Sequence, residues 1–106
     1  MTKYTLTESD ILYLTFYLKD KDGITGSITP HDLSNAQTIN FYMRKQGAST
    51  NTISNTCEIV TDSLGICRVK VTVPVNGDYV GEVEIIEAGQ RITFGPVYFV
   101  VREELG

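Results

Sequence analysis

Histidine occurs once in this sequence, tryptophan not at all, and cysteine only twice. Each scarcity excludes a class of chemistry. A zinc site wants four ligands, and Cys57, Cys67 and His31 fall short of that number. A histidine acting as general base needs a nucleophile and an orienting partner. Only Asp32 adjoins His31, and neighbours on one loop rarely align for that work, so His31 reads as an ordinary loop residue. No catalytic residue, metal or cofactor is expected, and the chain does not read as an enzyme.

Basic residues are also few. Nine Lys and Arg stand against thirteen Asp and Glu, for a net charge of −4, with the signs interspersed. A duplex-binding surface carries a basic patch. Arg44 with Lys45, and Arg68 with Lys70, are too sparse for one, so no nucleic-acid partner is expected. A helical membrane span needs about 18 or more consecutive apolar residues, and no run approaches that length, so no membrane is expected. The first eight residues lack the apolar core of a signal peptide, which implies synthesis without secretion by that route.

Alternation is what the sequence has in quantity. Asn76 and Gly77 form a turn signal that runs straight into a strict period of two. Tyr79, Gly81, Val83 and Ile85 point one way; Val80, Glu82, Glu84 and Ile86 point the other. Such a pattern predicts a pleated strand with one buried and one wetter face. The face with the carboxylates is the outer one, because unpaired charges are costly to bury. Tyr79, at the mouth of this strand, is a candidate tyrosine corner, with its ring inside and its hydroxyl on nearby backbone. The cysteine that often follows two residues later is absent; Gly81 holds that position.

In chain order, residues 1–10 are expected to form a polar, Thr-rich arm. Residues 12–18 alternate, with Leu12, Leu14, Phe16 and Leu18 inward. Residues 24–36 read as a long connection with one short helical turn at 31–36 and Leu33 tucked inward. A second strand covers 38–44, with Ile39, Phe41 and Met43 inward, and residues 45–55 read as a mobile loop. Further strands are expected at 56–60 and at 67–73, joined by a hairpin at 62–65 in which Gly65 supplies positive φ. After the strand over 79–86, residues 91–94 and 97–101 form a sixth and a seventh, or one strand kinked at Gly95 and Pro96. This predicts an all-β, immunoglobulin-like antiparallel β-sandwich of about seven strands. The sandwich domain is placed at residues 11–102, with the arm before it and a short charged exit at 103–106.

Several constellations invite a chemical reading. Residues 20–32 resemble the opening of an EF-hand calcium loop, but Ile24 and His31 fall where ligands are required, and the preceding run has strand period. Glu82 and Glu84 share a strand face at roughly 7 Å, near the spacing of a glycosidase pair, yet alternating Glu on an outer face is ordinary surface. Cys57 and Cys67 are expected to face one another across the hairpin centred near Asp62, close enough to oxidise, and are read first as paired core thiols kept reduced. Outward Tyr13, Tyr17 and Tyr42 form a candidate interface, since tyrosine is enriched where proteins meet. Tyr13 and Tyr17 share one face and alternatively offer a platform for a glycan.

Taken together, these features resemble the N-terminal immunoglobulin-like domain of the baseplate upper proteins of tailed phages, over residues 12–101. The resemblance is carried by the alternating strand closing in an acidic turn at Gly23, by Asp32 and Leu33 ahead of the strand at 39–44, by Gly65 leading into 67–73, by Gly77, Asp78 and Tyr79 leading to Glu82, Val83 and Glu84, and by the paired runs 92–94 and 97–101. It implies a non-enzymatic structural component of a bacteriophage particle, such as a tail, baseplate or head accessory protein. Such a component would be made in the host cytoplasm and located in the virion. Its partners would be other virion proteins, in a symmetric homo-oligomer or ring. A carbohydrate-binding or host-surface adhesion module is the alternative.

Overall fold

A computed structural model describes residues 3–105, and no helix occurs among them. The described residues form ten strands: β1 (Lys3–Thr7), β2 (Ile11–Tyr17), β3 (Lys19–Lys21), β4 (Ile28–Pro30), β5 (Ala36–Lys45), β6 (Ile53–Thr56), β7 (Glu58–Thr61), β8 (Ile66–Thr72), β9 (Gly77–Glu87) and β10 (Gln90–Arg102). They build a five-stranded sheet in the order β1-β10-β9-β5-β6, a three-stranded sheet β2-β8-β7, and a small hairpin β3-β4. All pairings are antiparallel except β1 with β10. This is an immunoglobulin-like β-sandwich.

The inward sets predicted from alternation meet between the sheets. Ile39, Phe41 and Met43 of β5, Cys67, Val69 and Val71 of β8, and Tyr79, Val83 and Ile85 of β9 are all buried. Phe41 lies at the centre, its ring 5.2 Å from Phe16 and 6.2 Å from Phe99. Gly81 faces the same space. A Cβ there would come within 2.9 Å of both Phe41 and Phe99, so the two rings occupy the room that its missing side chain leaves.

Tyr79 is fully enclosed, and its hydroxyl donates to the Val75 carbonyl at 2.7 Å, four residues upstream. That is tyrosine-corner geometry. Burial and the Glu8 carboxylate push the phenol above its ordinary pKa, which keeps the donor proton in place. Tyr79→Phe deletes the bond without changing the ring. The expected loss is about 1 kcal/mol, read as a lower denaturant midpoint with unchanged slope in urea unfolding.

The structure corrects several expectations. Residues 3–7 of the expected arm are a strand of the sandwich, with Tyr4 opposite Phe99 and Leu6 opposite Val101; Met1 and Thr2 lie outside the described residues. The short alternation of Tyr4 and Leu6 among threonines is enough to place it on the sheet edge. In the exit, residues 103–105 carry no strand, and Gly106 lies outside the described residues. The connection at 24–36 contains no helical turn; its first part belongs to the β3-β4 hairpin. The sixth and seventh strands are one, β10, whose register shifts between Phe94 and Val97 at the cis Gly95-Pro96 bond. The expected third strand is split: β6 pairs with β5, β7 pairs with β8, and Cys57 is the crossing point between sheets.

That crossing also changes the cysteine register. Ile59, not Cys57, is the partner of Cys67 across the hairpin. Cys57 instead gives its amide to the Ile39 carbonyl of the other sheet at 2.8 Å. Both thiols are free and buried. The Cys67 thiol and burial together push Cys57 far above the ordinary thiol range. At β7 the apolar side chains Ile59 and Val60 are about half exposed, since the strand is an edge and short.

Candidate functional site

The two long sides of the sandwich differ. On one side the chain itself closes the gap, because β6 continues through Cys57 into β7, and the Asn55 side chain donates to the Lys70 carbonyl at 3.2 Å. On the other side the five-stranded sheet ends in β10 and β1, and the three-stranded sheet ends in β2. Here the layers stay apart. A groove of about 750 Å³ opens between them, floored by Val83 and Phe99 and walled by Leu14, Phe16 and Phe94. Among the described residues its lining carries a single charged one, Lys19. Sequence reasoning missed the groove, since alternation assigns side chains to faces but does not say which strand lacks a neighbour.

The tyrosines singled out from the sequence fall on two surfaces. Tyr13 and Tyr17, 51% and 65% exposed, share the outer face of the three-stranded sheet. The Arg68 guanidinium sits 4.4 Å above the Tyr13 ring and also pairs with Glu58. Tyr13 is thus already covered by a cation, and Tyr17 is the freer ring. Tyr42 lies on the opposite sheet, half-buried beside Arg44, Glu82, Glu84 and Arg91. Glu84 is held by Arg91 at 3.4 Å, an ordinary surface ion pair. The three rings therefore form no single platform.

His31 is the residue that the sequence most understated. It is 8% exposed, at the end of the β3-β4 hairpin. Its Nδ1 lies 2.8 Å from Asp20 of β3, its Nε2 lies 3.3 Å from Glu87 of β9, and its ring stacks edge-on against Phe94 at 5.4 Å. Both nitrogens are thus held by carboxylates, which makes the imidazolium a clamp between hairpin and sheet and leaves no free lone pair for base catalysis. Burial opposes the charge, but Asp20 and Glu87 outweigh it, so the His31 pKa is raised above 6.5. A raised folded-state pKa stabilises the protein fully below pH 6.5 and loses that contribution as pH rises through the folded value. The wild type should therefore lose stability against a His31→Asn variant as pH climbs above 6.5. An imidazole proton titration by NMR checks this directly; a midpoint below 6.5 would contradict the clamp.

The stretch 20–32 holds the paired ends of β3 and β4 with a turn between them. Asp22 accepts from the amides of Ile24 and Thr25 at 2.8 Å each, and this lowers its pKa. Among the described residues no group of three or more His, Cys, Asp or Glu is arranged to hold a metal ion.

No protein-family profile matches the chain, and no curated protein matches it. Among solved structures, murine CRIg is similar at 11% identity over 94% of this chain and 92% of that one, with a TM-score of 0.44. The fold stands on the strand order and pairing described above.

Proposed function

We propose that this chain is a non-enzymatic structural component of a bacteriophage particle that docks onto neighbouring subunits, in a symmetric oligomer or ring. The observation that carries the docking is the open side of the sandwich: a long, uncharged edge strand, β2, beside an apolar groove. Native proteins usually blunt or cover such edges, because an exposed edge recruits another strand. The assignment to a phage particle rests on the sequence resemblance. In this reading the mechanism is passive: rigid sheets hold edges and loops in a fixed geometry for the next subunit.

A second reading, glycan binding, is favoured by the shared exposure of Tyr13 and Tyr17. Glycan titrations with a signal lost on Tyr17→Ala would favour it. The experiment that tests the main reading is quantitative mass spectrometry of purified particles. The chain should appear in a simple integer ratio to a capsid or tail subunit. Absence from particles, with abundance in the cell, would sink the structural role.

A further inference from the structure

The free edge of β2 has a definite hydrogen-bonding parity. Val73 donates to the Asp10 carbonyl at 2.8 Å, and Leu18 donates to the Gly65 carbonyl at 2.8 Å. Asp10 and Leu18 bracket β2, and both bond toward the β8 side, in phase with the register Ile11↔Thr72 through Tyr17↔Ile66. In an antiparallel ladder bonded pairs alternate. Leu12, Leu14 and Phe16 therefore bond to β8, while Ile11, Tyr13, Thr15 and Tyr17 aim their amides and carbonyls away from it. No described residue pairs with them, because β2 has β8 as its sole strand neighbour.

The groove lies alongside this unpaired edge. Beyond β2, the inner faces of β1 and β10 continue with Tyr4, Leu6, Phe94 and Val97, uncovered by any strand of the smaller sheet. Tyr4 points inward beside Phe99, with ring centres 6.1 Å apart, and is still 53% exposed. We infer that the β2 edge and its groove receive one extended segment of a partner protein. That segment is added as a fourth strand next to β2, with apolar side chains at alternate positions and an acidic residue at the end beside Lys19.

Backbone pairing supplies affinity in strand addition, and pockets for alternate side chains supply selectivity. Lys19 selects the acidic residue: it is the one charged side chain of the lining and forms no ion pair among the described residues. The overhang of β1 and β10 argues for an isolated segment. Two copies of this chain joined β2 to β2 would bring two overhangs into one space, and a lone strand brings none. An antiparallel strand continues the pattern of the sheet and starts at the Lys19 end, so its acid lies near its N-terminus.

This inference rests on the docking reading and has its own test. The probe is an acetylated peptide of alternating valine and threonine led by two glutamates, added at millimolar concentration to isotope-labelled full chain. Amide exchange at Ile11, Tyr13, Thr15 and Tyr17 should slow at least about tenfold, while Leu12, Leu14 and Phe16 are slow already. Thr15→Pro removes one outward amide at an edge position that tolerates proline, and should weaken binding about tenfold; Thr15→Ala should leave it intact. Tyr13→Pro has the same parity and replaces Thr15→Pro if that variant does not fold. Lys19→Glu should weaken the peptide about threefold. Unchanged exchange at the four amides overturns the assignment, and so does their protection by self-association seen in sedimentation, which would name a second copy as occupant. If the chain is incorporated in particles while the peptide leaves the edge unprotected, the docking reading stands and only the β2 assignment fails.

Discussion

Replacing Gly65 by alanine should cost about 3–4 kcal/mol, lowering the melting temperature by roughly 15–25 °C. Gly65 closes the turn between β7 and β8 with φ +69°. Its carbonyl accepts the Leu18 amide at 2.8 Å, and its amide donates to the Asp62 carbonyl at 3.2 Å. A Cβ at this position would collide with the Leu18 carbonyl oxygen and come within 2.7 Å of the His31 carbonyl oxygen. Both are backbone atoms, so neither can swing aside as a flexible side chain would. Gly89 supplies the control. It has φ +74° in another turn, and a methyl added there would meet nothing within 4 Å. Gly89→Ala should therefore cost only the left-handed backbone term, about 1 kcal/mol. The difference between the two variants isolates the contact. Thermal unfolding followed by circular dichroism measures both, and equal losses would refute the steric account. Because Leu18 and His31 lead into and out of the β3-β4 hairpin, amide exchange there should quicken in Gly65→Ala and not in Gly89→Ala.

The same contact shows where sequence reading succeeds and where it stops. Gly65 was legible as a turn residue needing positive φ, because that demand is local. That Gly65 also supports the β3-β4 hairpin was not legible, since it depends on which distant backbone passes over it. The inward sets of β5, β8 and β9 were legible for the local reason: alternation fixes the face of each side chain. Alternation places Cys57 opposite Cys67 because it assumes that a strand stays in one sheet, and the chain changes sheets at that residue. The sequence around His31 shows only a loop residue, because its partners, Asp20 and Glu87, lie 11 and 56 residues away. Neither spacing carries a periodic signal. The groove was invisible for a related reason, since it is the absence of a neighbour beside β2 rather than a property of β2's own residues.

Phe41→Ala should be the most damaging of the core truncations, at about 3–5 kcal/mol. A domain of this size is stable by about 5–15 kcal/mol in total, so the variant should melt roughly 15–30 °C lower. Phe41 is completely buried, and it joins Phe16 of the smaller sheet to Phe99 of the larger one. Phe16 is only partly buried, because it lines the groove. Phe16→Ala should thus cost about half as much, since part of the transfer term is never gained. Gly81 is part of the same packing. Its absent side chain is what lets Phe41 and Phe99 meet above β9, so Gly81→Ala presses on both rings. With Phe41 truncated, one of those two obstacles is gone and the new methyl enters part of the vacated space. The double variant should therefore be more stable than the sum of the two single losses, by about 1 kcal/mol or more. Urea unfolding of the four proteins in this cycle measures that coupling. Strict additivity would mean that the cost of Gly81→Ala does not come from the space that Gly81 leaves to the two rings.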